Sequence, residues 1–490
     1  MKILRNHITS IGGMLMNSLA KNSVYNVIYK CLNVVFPLIT SAYVSRILLA
    51  EGIGKVSSAQ NIVTYFTILA ALGIPTYGIK MIATNGNSRE KQSKIFSELF
   101  FINAISTTIC SIFYYLLILT VPFFYERRLL FSICGLSIVF NIINIDWLYQ
   151  GKEEYKYIMI RSIIIKILSL LAIFFLVKKV NDYIIYALIL TLANALNYIF
   201  NIIHSKKYVD LVCHNLAFIK HLSPVFTLLA ASIAIEIYTL ADTTMLTFMK
   251  GDEVVGYYTT AMKGVQVIKT LATSVCAVFL PRLSYYYSIN QKDQFNKLID
   301  KGFKILAYIT IPACIGIELV AKDAIVVLFG KNFIESANTM RILSISIVTV
   351  AFSNFIGYQI LITIGKEKIM FLSTVVGAFV NVILNYFMIP NLGCNGAAIA
   401  SAITEISVTI VQCIAIIGVV KIKVNRQFVL SLGISCLFMV SSVVIIQNII
   451  DITGIRLVLS ILVGMFVYFF ISIIRKNELP LELIRMIKQK

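Results

Sequence analysis

About fourteen runs of roughly twenty mainly apolar residues follow one another along this chain, joined by short polar connections. A helix of about 20 residues crosses the ~30 Å hydrocarbon layer of a bilayer. The runs lie at 22–44, 56–79, 95–121, 129–149, 157–177, 183–203, 222–248, 255–280, 303–328, 336–363, 368–389, 395–420, 427–450 and 454–474. Strands of a membrane barrel need only about ten alternating residues, which does not match these continuous runs. Composition agrees: 59% of residues are apolar, 13% are charged and the mean hydropathy is +0.87. A soluble surface carries about twice that charge. The sequence predicts an all-α integral membrane protein.

The distribution of positive charge orients it. Of 43 Lys and Arg residues, 27 lie in or beside loops on the side of the N-terminus and 11 in or beside the opposite loops. Positive residues stay inside, so both termini are expected in the cytoplasm. The net charge of +20 is scattered through these loops with no basic stripe interleaved with aromatics, so no nucleic acid is expected. Cys31, Cys110, Cys134, Cys276, Cys314, Cys413 and Cys436 sit inside apolar runs as small packing residues. His7, His204, His214 and His221 lack metal-ligand spacing, and no phosphate-cradling Gly-rich loop occurs. Neither an enzyme, a metal nor a cofactor is expected.

A weak internal repeat gives the organisation. Ile53-Gly54-Lys55-Val56-Ser57-Ser58-Ala59 parallels Val255-Gly256-Tyr257-Tyr258-Thr259-Thr260-Ala261, and Gly151-Lys152-Glu153 parallels Gly365-Lys366-Glu367. In both cases the partner lies six spans later, which keeps the same orientation and relates the halves by a pseudo-twofold along the membrane normal. The expected division is an N-terminal interfacial segment (1–21), an N-lobe of six helices (22–210), a C-lobe of six (211–420), two further helices (421–474) and a cytoplasmic tail (475–490).

Polar residues inside spans mark where such a protein works, because charge there needs a partner or a wet cavity. Asn26, Lys30, Asn33, Pro37 and Thr40 recur at helical steps on one face of the first span; Thr259, Lys263, Gln266, Thr270 and Thr273 repeat the same steps in the eighth, with Lys269 nearby. The seventh span offers Ser232, Glu236, Thr239 and Thr243 with Asp242 adjacent, and the second offers Ser57, Asn61 and Thr64. A water-filled cavity explains these stripes; hydrogen bonding between neighbouring helices is the plainer alternative. Lys30, Lys263 and Lys269 need anionic company, which Glu236 and Asp242 can supply in part. Those two carboxylates are candidate coupling groups for H⁺ or Na⁺, and Pro37 is a candidate hinge. Arg161 is expected to snorkel to lipid phosphates and Trp147 to anchor at the interface.

Phe36-Pro37-Leu38-Ile39-Thr40-Ser41-Ala42-Tyr43-Val44-Ser45-Arg46-Ile47-Leu48, followed by Glu51-Gly52-Ile53-Gly54, resembles the N-terminus of Wzx-type polysaccharide flippases. So do Leu72-Gly73-Ile74-Pro75-Thr76-Tyr77-Gly78, Asp146-Trp147-Leu148-Tyr149-Gln150-Gly151, Leu280-Pro281-Arg282-Leu283-Ser284 and Gly396-Ala397-Ala398-Ile399-Ala400. The resemblance implies the multidrug/oligosaccharidyl-lipid/polysaccharide exporter fold. It also implies transport of undecaprenyl-diphosphate-linked oligosaccharide to the outer leaflet of the bacterial plasma membrane, alongside membrane lipids and the polysaccharide polymerase machinery. Lys30, Lys263 and Lys269, with Asn26, Asn33, Asn61 and Gln266, are then the candidate diphosphate- and sugar-binding residues. A multidrug or organic-cation exporter of the same fold is the alternative, and would favour an acidic cavity.

Overall fold

The computed structural model describes the backbone of residues 2–86, 88–420 and 425–481, and their side chains except those of 2–24, 26–28, 30, 31, 34, 231, 234, 235 and 238. Among the described residues every regular element is helical. In chain order these are α1 (Lys2–Ala71), α2 (Ile74–Thr84), α3 (Arg89–Thr120), α4 (Pro122–Tyr125), α5 (Arg128–Phe140), α6 (Asp146–Gly151), α7 (Tyr155–Leu176) and α8 (Tyr183–Ser205). They continue with α9 (Ile219–Lys250), α10 (Asp252–Ala277), α11 (Leu280–Ser288), α12 (Lys292–Phe329), α13 (Ser336–Asn354), α14 (Glu367–Ile416), α15 (Arg426–Ile449) and α16 (Thr453–Ile474).

Among the described residues nine helical stretches are long and apolar enough to cross a membrane. They are not nine crossings: α14 alone holds the expected span 368–389 and most of 395–420, on either side of Gly393, whose φ of +54° turns the chain. The expected span 129–149 is interrupted. Asn103 of α3 donates to the carbonyls of Asn141 (2.6 Å) and Ile142 (3.3 Å), and Asn141 donates to Asn103 and Thr107. Backbone released from a helix survives within a membrane only where protein satisfies it, and this amide cluster does so. Apolar side chains point outward instead. Ile105, Ile109, Ile112, Phe113 and Leu116 of α3 are each more than half exposed, as are Ile164, Leu168 and Phe175 of α7, giving lipid-facing stripes at helical spacing.

Contacts group the chain into two compact units: residues 1–40 with 56–236, and residues 41–55 with 237–490. In the first unit the core gathers Ile74, Phe96, Leu99, Trp147, Leu148 and Tyr149. Trp147 is 3% exposed and lies on Gly78, where a Cβ would come within 2.5 Å of the indole; it is a core residue and not the expected interfacial anchor. Arg161 is likewise not at lipid phosphates. It is buried, its Nη1 donates to Asp146 Oδ1 (3.1 Å) and to Asn201, and Asn201 donates to the same carboxylate. Removing one partner of a buried pair strands the other's charge, so Asp146→Asn is expected to destabilise the protein by about 3 kcal/mol. An unchanged thermal unfolding midpoint would show that Arg161 reaches water by another route.

The connection between α8 and α9 also belongs to this unit, and α3 holds it. Ser93 and Ser97 accept from the amides of Asp210 (2.9 Å) and Val212 (2.8 Å), and Glu98 accepts from the amide of Ala217 (2.8 Å). Arg89 grips Asp210 through two nitrogens, and its hydrogen bonds hold that carboxyl below the ordinary carboxylate range. Glu98 is fully buried; it also meets Lys220 (2.9 Å) and His221 Nε2 (2.8 Å), and His221 Nδ1 meets Tyr77 Oη (3.0 Å).

In the second unit the sequence repeat acquires a physical meaning. Leu49 (φ +59°, ψ −175°) and Gly251 (φ +85°, ψ −180°) turn similar corners at equivalent repeat positions. For leucine that region is strained, at about 1–3 kcal/mol. The helices that follow cross so closely that a Cβ on Gly54 would lie 1.6 Å from Asp252 O, and one on Gly256 would lie 2.0 Å from Ala50 O. The contact is reciprocal, and only glycine fits either side. At the C-terminal end, α15 and α16 dock on α12: Arg456 holds Asp323 with two 2.6 Å bonds, and Tyr468 Oη donates to Tyr308 O (2.8 Å).

Candidate functional site

Each unit seals ionisable groups inside its apolar helices. In the second unit the centre is Asp242 of α9, which is 5% exposed. Its Oδ1 accepts from Asn381 (2.9 Å) and Asn385 (2.6 Å) of α14. Its Oδ2 accepts from Tyr258 Oη of α10 and from Ser401, which lies on α14 beyond the Gly393 turn. Four neutral donors therefore solvate one carboxylate, close to its full capacity. The turn in α14 is what allows one helix to reach Asp242 from both of its arms.

One atom in this cluster is left over. Asn385 Nδ2 is used twice, on Asp242 and on Asn381 Oδ1 (3.0 Å), but Asn385 Oδ1 is buried without a donor among the described residues. A spare amide oxygen beside a carboxyl group can accept one further hydrogen bond or ligate a small cation. Among the described residues no group of three His, Cys, Asp or Glu could hold a metal ion.

The lysines do not pair with Asp242 directly. Lys263 Nζ donates to Ser41 Oγ (2.9 Å), and among the described residues no carboxylate lies within ion-pair distance of it. Lys269 sits half-buried where the charges of Glu405 and Asp242 both reach it. Gln266 is exposed, and Glu236 is half-buried in α9.

In the first unit Lys166 of α7 donates to Asn33 Oδ1 (2.6 Å) and to Leu32 O (3.1 Å), with the Phe36 ring 5.7 Å away. These bonds land on the turn that Pro37 weakens by lacking an N–H. The α1 helix runs through Pro37, and its backbone departs from helical values at Leu49 instead. Asn61 is buried in the same unit. The side chains of Asn26 and Lys30 lie outside the described residues. Sequence reasoning missed Asn381, Asn385, Tyr258 and Ser401; the signal available was the pair of amides one helical turn apart in an otherwise apolar span.

Lipid-facing apolar stripes around sealed amides and ionisable groups define a multi-pass, all-helical membrane protein with a polar interior. Residues 19–286 match the family described as polysaccharide biosynthesis protein, and residues 228–387 match the family described as MatE. The chain belongs to the polysaccharide biosynthesis protein family. It is 26% identical over 392 residues to a Shigella dysenteriae protein named "Putative O-antigen transporter", covering 77% of this chain and 95% of the relative. The fold is that of the lipid II flippase MurJ in an inward closed conformation (TM-score 0.67, 17% identity, 91% of this chain and 99% of that chain). An inward-facing multidrug resistance MATE family transporter of the MOP superfamily also shares it (TM-score 0.61, 14% identity, 80% of this chain and 97% of that chain).

Proposed function

We propose that the protein is a flippase that moves undecaprenyl-diphosphate-linked oligosaccharide from the cytoplasmic to the outer leaflet of the bacterial plasma membrane by alternating access. The observation that carries this reading is Lys263, a lysine held within an apolar span by a neutral serine, its charge left for an anion. A diphosphate crossing a low-dielectric slab needs such cations, and they act more strongly there than in water. Lys30 and Lys269 join it in the proposed diphosphate site, and Asn26, Asn33, Asn61 and Gln266 supply amides suited to sugar hydroxyls. The relative named for O-antigen transport supports the oligosaccharide, and the lipid II flippase fold supports the lipid carrier.

Asp242, with Asn381, Asn385, Tyr258 and Ser401, is the proposed site of the coupling ion, H⁺ or Na⁺, with Glu236 as a second coupling group. Pro37 is the proposed hinge of a 6 + 6 + 2 helix arrangement with both termini in the cytoplasm, and the polysaccharide polymerase machinery is the proposed downstream partner. An organic-cation exporter would need an acidic group open to its substrate. Asp242 is instead buried, at 5% exposure, and out of reach of a bulky cation.

The test is lipid analysis of a strain lacking this protein, in which an undecaprenyl-diphosphate-linked oligosaccharide is expected to accumulate on the cytoplasmic leaflet. Re-expressed Lys263→Gln should insert normally yet restore export about tenfold less than wild type, with Lys263→Arg between them. Absence of the accumulating lipid, together with lost efflux of an organic cation, would overturn the assignment.

A further inference from the structure

We propose that the cleft between the start of α15 and the end of α16 holds the phosphate of an anionic membrane phospholipid. The two helices form an antiparallel hairpin through Ile450–Ile452, which brings Arg426 and Arg475 to the same membrane boundary. Together with Lys476 they line a cleft of about 530 Å³. It continues into a smaller pocket of about 40 Å³ lined by Ser431, Asn477 and Glu478.

Three features make this a site for an anion and more than a basic surface. First, two polar side chains lining it are buried and unsatisfied. Asn477 is 4% exposed and Ser431 2%, and neither Asn477 Nδ2 nor Ser431 Oγ has a partner among the described residues. Asn477 Oδ1 is used by the amide of Leu479 (3.2 Å), so what remains is a free donor, the group a phosphate oxygen accepts from.

Second, the charges are badly placed unless an anion is present. Arg426 sits in the first turn of α15, which contains no acidic residue, so a cation stands at the positive end of the helix dipole. Asn425 Oδ1 already takes the amides of Gln427 (2.9 Å) and Phe428 (3.3 Å), so the helix contributes its field while the side chains make the contacts. Lys476 adds to the crowding: its φ of +53° reverses the chain after α16, and Asn477 N closes the turn on Ser472 O (3.0 Å). Glu478, the carboxylate lining the smaller pocket among the described residues, is engaged by Lys304 (3.0 Å).

Third, the flanks are apolar and open. Leu430 is 50% exposed, Ile474 57%, Phe470 52% and Leu437 66%, and they run from the cleft along the two membrane-crossing helices. Acyl chains fit that surface. Free phosphate has no use for it.

The test uses the purified full chain, with lipid binding read by native mass spectrometry, against phosphatidylglycerol, phosphatidylcholine and inorganic phosphate. Wild type is expected to bind phosphatidylglycerol about tenfold more tightly than phosphatidylcholine, and Arg475→Gln to remove that preference. Asn477→Leu, which changes no charge, is expected to weaken phosphatidylglycerol several-fold. Ser431→Ala takes its place if the leucine variant fails to fold. Retained preference in both Arg475→Gln and the neutral variant overturns the site. Displacement of the lipid by millimolar inorganic phosphate overturns the lipid as its occupant. None of these readouts depends on what the protein transports.

Discussion

In reconstituted vesicles, Asp242→Asn is expected to bind substrate as wild type does and to lose its response to an imposed ion gradient. The asparagine keeps the shape of the side chain and one acceptor oxygen, but presents two N–H donors where Asn381 and Asn385 or Tyr258 and Ser401 now donate. A site that holds a proton or Na⁺ by charge then holds neither. Asn385→Leu removes the spare acceptor and the donor to Asp242 and Asn381 without removing the charge, and is expected to shift the ion concentration needed for half-maximal transport while leaving the maximum in place. If transport by Asp242→Asn still rises with the gradient as in wild type, Asp242 is not the coupling group.

The second large effect is steric. Gly256→Ala places a methyl group 2.0 Å from a backbone carbonyl, and Gly54→Ala places one 1.6 Å from another. Backbone cannot swing aside as the end of a side chain can, so the two backbones must separate where Gly54 meets Asp252 and Gly256 meets Ala50. Each substitution is expected to cost about 3 kcal/mol or more, seen as loss of folded protein from the membrane. The pair is expected to lose less than the sum of the two, because both push the same contact apart. Gly433→Ala is the control: a Cβ there meets nothing within 4 Å, and helix propensity alone makes the change neutral or slightly favourable. Equal abundance of Gly256→Ala and Gly433→Ala would remove the crossing from any account of stability.

The all-helical membrane fold was legible because one-dimensional patterns encode it: apolar runs are long whatever they touch. The repeat was legible for a related reason. Matching Ile53-Gly54 with Val255-Gly256 needed only sequence register, and those two glycines are the ones that meet. What the sequence did not show was pairing across distance. Asp242 was visible as a charge in a span, but Asn381 and Ser401 are more than a hundred residues away and join it only because α14 folds back at Gly393. Arg161 looked fit for lipid because its own span holds no carboxylate. Its partner Asp146 lies across a turn, in a region that reads as continuous helix until the Asn103–Asn141 bonds are known. Glu98 and His221 showed no spacing signal for the same reason: one belongs to α3 and the other to the first turn of α9, more than a hundred residues later.

That connection has a built-in metric. Residues four apart on a helix stand about 6 Å apart along its axis, and alternate amides of an extended chain stand about 6.6 Å apart. Ser93 and Ser97 are four apart; Asp210 and Val212 are two apart. The helix is thus a ruler whose graduations match the stride of the chain laid on it. A residue inserted or deleted between 210 and 212 puts the amides of Val212 and Ala217 out of step with their oxygens on Ser97 and Glu98. The segment has no regular secondary structure of its own, yet its length is as fixed as that of any helix in the molecule.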